Sequence, residues 1–332
     1  MKLNNIFTSN MIMPKGKVLH FYGDGEGCAT IEFAGIKKTV NSKNGRWSVD
    51  YSPMDYGGPY KLKLICGDEI TVHSDIYIGE VYIFAGQSNM QFKIHESSYP
   101  KEKWVSNDNI RLFNTERVEE GEYFAPEHGW IKAEAETVGY WPAIPYLTAT
   151  GLSKNGIKIG AISCFQGASV IESWVPMGTF ENAGVNIPID DRHKDHVHEW
   201  FSKWNGDSQL YDFTFKKIAP FNVSGIVWYQ GESDTSVPEG SVYDIELCEL
   251  IKVWRRDLRD EDLPFIVIQI ADYDERNDEG WRLVQEAQLR VQNMLPNVKT
   301  VISRDICESS NIHPPTKDIL SERVVKAICE LK

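Results

Sequence analysis

The feature that most constrains this chain is a change of pattern near residue 79. Up to that point it runs in short alternating stretches broken by turn residues: "KVLHFYG", "CATIEFAG", "RWSVDYSP", "YKLKLICGD". Alternation of period two places one face of each stretch in a core and the other in water. Asn44-Gly45, between two such runs, is a hairpin signal, because both residues tolerate the positive φ that a type I′ turn requires, and Gly57-Gly58-Pro59 marks another turn. No helical period occurs here, so residues 1–78 are expected to form a small antiparallel β-sandwich.

Beyond residue 79 the apolar runs stop alternating. "GEVYIFAG" (79–86), "IKIGAISC" (157–164), "VSGIVWYQ" (223–230), "LPFIVIQIA" (263–271) and "NVKTVIS" (297–303) read as strands buried on both faces, as in a parallel sheet. Amphipathic segments lie between them. Leu247, Leu250, Ile251, Trp254 and Leu258 share one helical face, and "KDILSERVVKAICELK" reads as a closing helix. Strand–helix alternation of this kind predicts a three-layer α/β/α unit over residues 79–332. The polar stretch 176–213 has no strand pattern and is expected to be an irregular, lid-like insertion.

Charge narrows the partners. With 35 basic and 48 acidic residues the net charge is −13, which opposes nucleic acid and anionic membranes and favours a neutral or weakly charged substrate. No run approaches the about eighteen apolar residues of a membrane span. "MKLNNIFTSNMIMPKGK" lacks the apolar core of a signal peptide, so a cytoplasmic location is expected. The six scattered cysteines, without a CxxC, fit reduced thiols.

In open parallel sheets ligands bind at the carboxyl ends of strands, and three unusual clusters fall there. "GQSNM" places Ser88 on a strand-to-helix turn, flanked by Gln87 and Asn89. Met90 stands where a nucleophile elbow carries its second glycine, and on the pentapeptide alone a helix N-cap is the simpler reading. "CFQGASVIESW" carries Gly167 and Trp174. "WYQGESD" sets Trp228, Gln230 and Glu232 at a strand end, where unpaired polar groups are costly to bury. Of eight histidines, His193, His196 and His198 crowd into an acidic stretch without a second ligand cluster, so no metal is expected. His313, in "SNIHPPTK", follows the last strand and is stiffened by Pro314 and Pro315. It is the leading base for Ser88.

Taken in order, these blocks resemble the sialate O-acetylesterase and carbohydrate acetylesterase branch of the SGNH hydrolases. The resemblance covers "GEVYIFAGQSNM", "IGAISCFQGASVIESW", "GIVWYQGESD" and "IHPPTK", and it extends to the small β-domain ahead of them. It implies a flavodoxin-like sheet, no cofactor, and a serine esterase acting on an acetylated carbohydrate. Ser88 would be the nucleophile and His313 the base, with the Ser88 and Gly167 N–H groups and the Gln230 amide as oxyanion hole. Gln87, Asn89 and Glu232 would meet the substrate, with Trp174 and Trp228 as sugar-stacking surfaces. One departure stands out. The family's aspartate two or three residues before the histidine is replaced by Ser310 and Asn311, leaving Asn311, Glu308, Asp305 or Glu232 to orient the imidazole. A non-catalytic carbohydrate-binding protein on the same scaffold is the rival reading.

Overall fold

The computed structural model describes residues 1–115, 129–187, 201 and 203–332. Its organising element is a single strand, Glu69–Gly86. The first half of this strand pairs antiparallel with Gly57–Cys66, and Ile12–Pro14 runs parallel to Tyr77–Gly79. Its second half lies between Ile159–Phe165 and Gly225–Tyr229, parallel to both. Sequence and burial change together along it: Ile70 and Val72 are exposed, whereas every residue from Val81 to Ala85 is buried. The division expected at residue 78/79 therefore falls inside one continuous strand.

The result is an eleven-stranded sheet. In its parallel part the order is Asn107–Asn114, Ile159–Phe165, Glu69–Gly86, Gly225–Tyr229, Phe265–Ile268, Val298–Val301, with Ile131–Ala133 antiparallel on the outer edge. The edge strand Asn107–Asn114 is not legible as an apolar run, because Arg111 sits in the middle of it. That guanidinium is fully buried and is bonded to the Asp108 carbonyl and to the Asp75 and Asp108 carboxylates. Helices Ala143–Leu152 and Asp318–Glu330 pack together as one pair, and Tyr243–Asp257 packs on Glu279–Met294 as another. This gives the three-layer arrangement.

The N-terminal unit is a small sandwich. Lys2–Leu3, Leu19–Asp24 and Arg46–Tyr51 form a separate three-stranded antiparallel sheet. Phe21 and Tyr51 of that sheet meet Phe33 of the other, with the Phe21 and Phe33 ring centroids 5.2 Å apart. Asn44 and Gly45 take positive φ as expected, but the strands they join belong to different sheets. Ile36–Asn41 pairs with Cys28–Phe33, and Arg46–Tyr51 pairs with Leu19–Asp24. The turn thus carries the chain across the sandwich.

Within the expected insertion at 176–213, the described residues contain the short helix Thr179–Asn182 and the start of a π-helical turn, Tyr211–Phe215, and no strand. Residues 188–200 and 202 lie outside the described set, and with them His193, His196 and His198.

Candidate active site

Starting from Glu69–Gly86, the chain adds Ile159–Phe165 on one side and then Gly225–Tyr229 on the other. That reversal marks a topological switch point, and ligands of open α/β sheets bind at the strands' carboxyl ends there. Gly86 is what lets the two strands close up there: its φ is +133° and a Cβ would lie 2.0 Å from the Tyr229 carbonyl oxygen. Gln87 N–H then donates to that same carbonyl at 3.0 Å. The chain turns at once into a single helical turn, Ser88–Gln91, capped by Gln87 in an extended conformation. Ser88 is therefore the first helical residue and not the cap. Its hydroxyl faces away from the helix backbone, with Oγ 2.7 Å from His313 Nε2.

His313 reaches it from the loop between Val298–Val301 and Asp318–Glu330. Hydrogen bonds on either side of the ring pin this loop. Asn311 Oδ1 accepts from the His313 N–H at 2.9 Å, Asn89 Nδ2 donates to the Ile312 carbonyl at 2.9 Å, and the Ser98 N–H donates to the Pro315 carbonyl at 3.0 Å. The ring lies beside Phe92, centroid to centroid 6.1 Å. Burial and the nearby Lys317 ammonium hold the imidazole below its ordinary pKa, with Glu96 pulling weakly the other way. His313 is thereby kept neutral and able to accept a proton.

None of the expected orienting groups bonds to Nδ1. Asn311 is occupied by its own turn, and Asp305 forms a fork with Arg323 at 2.6 and 2.8 Å. Glu308 accepts from the Thr316 hydroxyl at 2.6 Å and Glu232 from Asn89 at 2.6 Å. Among the described residues the base is held by its backbone and not by a carboxylate.

The oxyanion side also differs from expectation. The Ser88 N–H, at the start of its helical turn, has no partner among the described residues. Gly167 approaches closely enough that a Cβ would sit 3.8 Å from the Ser88 Cβ. Its N–H donates to Gln91 Oε1 at 3.1 Å, so the donor expected for an oxyanion is given to a side-chain amide oxygen. Gln230 is not a third donor. It is fully buried, its amide nitrogen donates to the Ser169 carbonyl (2.8 Å) and the Asp234 carboxylate, and its oxygen accepts from Tyr243 at 2.6 Å. Its bond to Ser169 steadies the loop that presents Gly167.

The expected substrate contacts turn out to be framework. Gln87 is buried, accepting from the Gly231 N–H at 3.2 Å and reaching the Ser233 hydroxyl at 3.4 Å. Asn89 and Glu232 are buried as well. Trp174 and Trp228 have no exposed surface and meet edge to face with centroids 6.0 Å apart, beside Trp254. They offer nothing for a sugar to stack on. Gln91, Phe92 and Lys317 belong to the site without having been singled out for a role. For Gln91 the available signal was its place three residues after Ser88, on the same side of a helical turn.

A family model described as carbohydrate esterase, sialic acid-specific acetylesterase matches residues 78–323. Sialate O-acetylesterase of Mus musculus is 23% identical over 94% of this chain and 69% of its own length. The Homo sapiens protein of that name is 23% identical over 94% of this chain and 66% of its own. The chain thus spans about two thirds of these relatives. Among solved structures, a carbohydrate acetylesterase from Xanthomonas citri superimposes with a TM-score of 0.87 at 22% identity, covering 99% of this chain and 75% of the other. That likeness shows a shared fold.

Proposed function

Because the chain belongs to the carbohydrate esterase, sialic acid-specific acetylesterase family, a family of carboxylic ester hydrolases, we propose that it removes O-acetyl groups from a carbohydrate through an acetyl-enzyme formed on Ser88. The observation that carries this reading is the 2.7 Å approach of Ser88 Oγ to His313 Nε2 at the sheet's switch point.

The geometry supports the following chemistry. As Ser88 Oγ attacks the acetyl carbonyl, His313 Nε2 takes the hydroxyl proton. The carbonyl oxygen becomes an oxyanion, received by the Ser88 and Gly167 N–H groups once Gln91 has yielded the latter. Collapse expels the sugar alkoxide, which takes the proton from the imidazolium and leaves the acetyl group on Ser88. Water, deprotonated by the same imidazole, attacks the ester, and acetate leaves as the serine recovers its proton. The imidazolium is formed without a bonded carboxylate, and Glu96 is the acid whose charge favours it.

Release of acetate from acetylated neutral oligosaccharides and from O-acetylated sialic acid, compared for wild type and Ser88→Ala, tests the reading. Wild type is expected to deacetylate at least one of the two classes, with a loss of roughly a thousandfold or more in Ser88→Ala. Equal background rates in both proteins would favour a non-catalytic binding role.

A further inference from the structure

Lys317, in the loop that carries His313, is a buried lysine. Its side chain has no exposed surface, and its Nζ makes one hydrogen bond, to Asn89 Oδ1 at 2.8 Å. Otherwise the ammonium rests against aromatic faces, 5.0 Å from the Phe92 ring centroid and 5.4 Å from that of Tyr229. An ammonium so poorly solvated is costly to keep, and burial draws its pKa down to about 8. On the other side of Asn89 lies Glu232, also buried, with Oε1 on Asn89 Nδ2 at 2.6 Å and Oε2 without a hydrogen-bond partner. Asn89 is thus fixed between the buried Lys317 ammonium and the buried Glu232 carboxyl, whose pKa burial pushes up. Its remaining bond runs to the carbonyl of Ile312, the residue before His313.

We propose that Lys317 is a positioning residue for the Ser88–His313 pair: its ammonium locks Asn89, and Asn89 holds the Ile312 carbonyl and with it the imidazole against Ser88. This rests on the esterase reading and deepens it. Asn89 sits one residue after the nucleophile and Lys317 four after the base, so one amide side chain ties the two loops of the site together. A backbone clamp of this kind does the orienting work that a carboxylate on Nδ1 would do, since the imidazole has little freedom once residues 311–315 are fixed. Lys317 also acts on His313 through charge. The groups facing His313 are Lys317, Glu96 and Ser88, and those facing Lys317 are Glu232, Glu308 and Cys307. A fixed positive charge disfavours the imidazolium, so removing it raises the pKa of His313.

The experiment is an NMR titration of the histidine ring carbons in the full chain, with the His313 signal identified by its absence from His313→Asn. In Lys317→Met the His313 pKa is expected to rise by about one unit, and the acid limb of kcat/KM on an acetyl ester to move up with it. The same variant is expected to be at least tenfold slower in kcat with little change in KM, and a folded Lys317→Met protein with wild-type kcat would overturn the proposal. If Lys317→Met folds poorly because Glu232 is left unpaired, the doubly neutral Lys317→Met/Glu232→Gln protein removes that charge imbalance. Under the proposal it folds, keeps the raised pKa and stays at least tenfold slow in kcat with little change in KM. Recovery of wild-type kcat in the double variant would show that Lys317 merely neutralises Glu232. If wild type and Ser88→Ala hydrolyse esters alike, the esterase reading fails while the titration still tests whether Lys317 acts on His313.

Discussion

At Gly167 the N–H that we propose as an oxyanion donor is given to the side-chain oxygen of Gln91, so under that reading a substrate displaces a neutral amide before it reacts. Gln91→Glu would place a carboxylate at the same donor. It would bind there more firmly and repel the developing oxyanion, lowering kcat/KM on acetyl esters by about 10- to 100-fold at neutral pH. Steady-state kinetics would show this, and an unaltered kcat/KM would mean that Gln91 lies outside the reaction path. The pairing of Ser88 with His313 was legible in the sequence because each residue follows a strand at the same sheet edge. What surrounds them was not. Asn311, two residues before the histidine, looked like a partner for the imidazole, yet a short Asn side chain at that offset bonds its own backbone. Gln230 likewise looked free, but its donors are consumed by Asp234, four residues on, and by the Ser169 carbonyl, 61 residues away, which only folding brings to it.

Among the elements, the strand Glu69–Gly86 governs the site, and its last residue is its most sensitive point. Gly86→Ala forces a Cβ onto the Tyr229 carbonyl oxygen at a φ of +133°. It is expected to cost at least about 3 kcal/mol of stability, measurable by denaturant unfolding. Stability within 1 kcal/mol of wild type, to order of magnitude, would mean the two strand ends can separate. The tryptophans give a complementary test. Trp174→Ala should destabilise by about 3–5 kcal/mol while leaving KM for the folded enzyme unchanged, since the ring is sealed against Trp228 and Trp254. A rise in KM without loss of stability would restore its role as a sugar platform. Both tryptophans stood beside functional residues in sequence, and proximity along the chain suggested a surface that packing removed. The apolar runs without alternation gave the parallel strands correctly, because burial on both faces leaves no polar period to misread. The strand Asn107–Asn114 carries no such signature.

Across the whole molecule, the N-terminal sandwich and the α/β unit share a strand and much of a core. The Trp130 indole N–H donates to the Ile6 carbonyl at 2.8 Å, Phe7 meets Phe221 at 5.7 Å, and the Tyr22 hydroxyl donates to the Ile218 carbonyl at 2.6 Å. Calorimetry is therefore expected to show one cooperative transition, and two resolved transitions would mean the halves fold separately. The change from alternating to continuous apolar pattern marks where one architecture gives way to the other, but pattern alone cannot reveal that a single strand crosses the join. The architecture matters for chemistry because it fixes the switch point at which Ser88 and His313 meet. Labelling with an activated organophosphonate, which phosphonylates nucleophilic serines with loss of its leaving group, followed by peptide mapping, tests that meeting. A single adduct on Ser88 is expected, abolishing ester turnover and forming far more slowly in His313→Ala; labelling elsewhere, or turnover that survives modification of Ser88, would rule out Ser88 as the nucleophile.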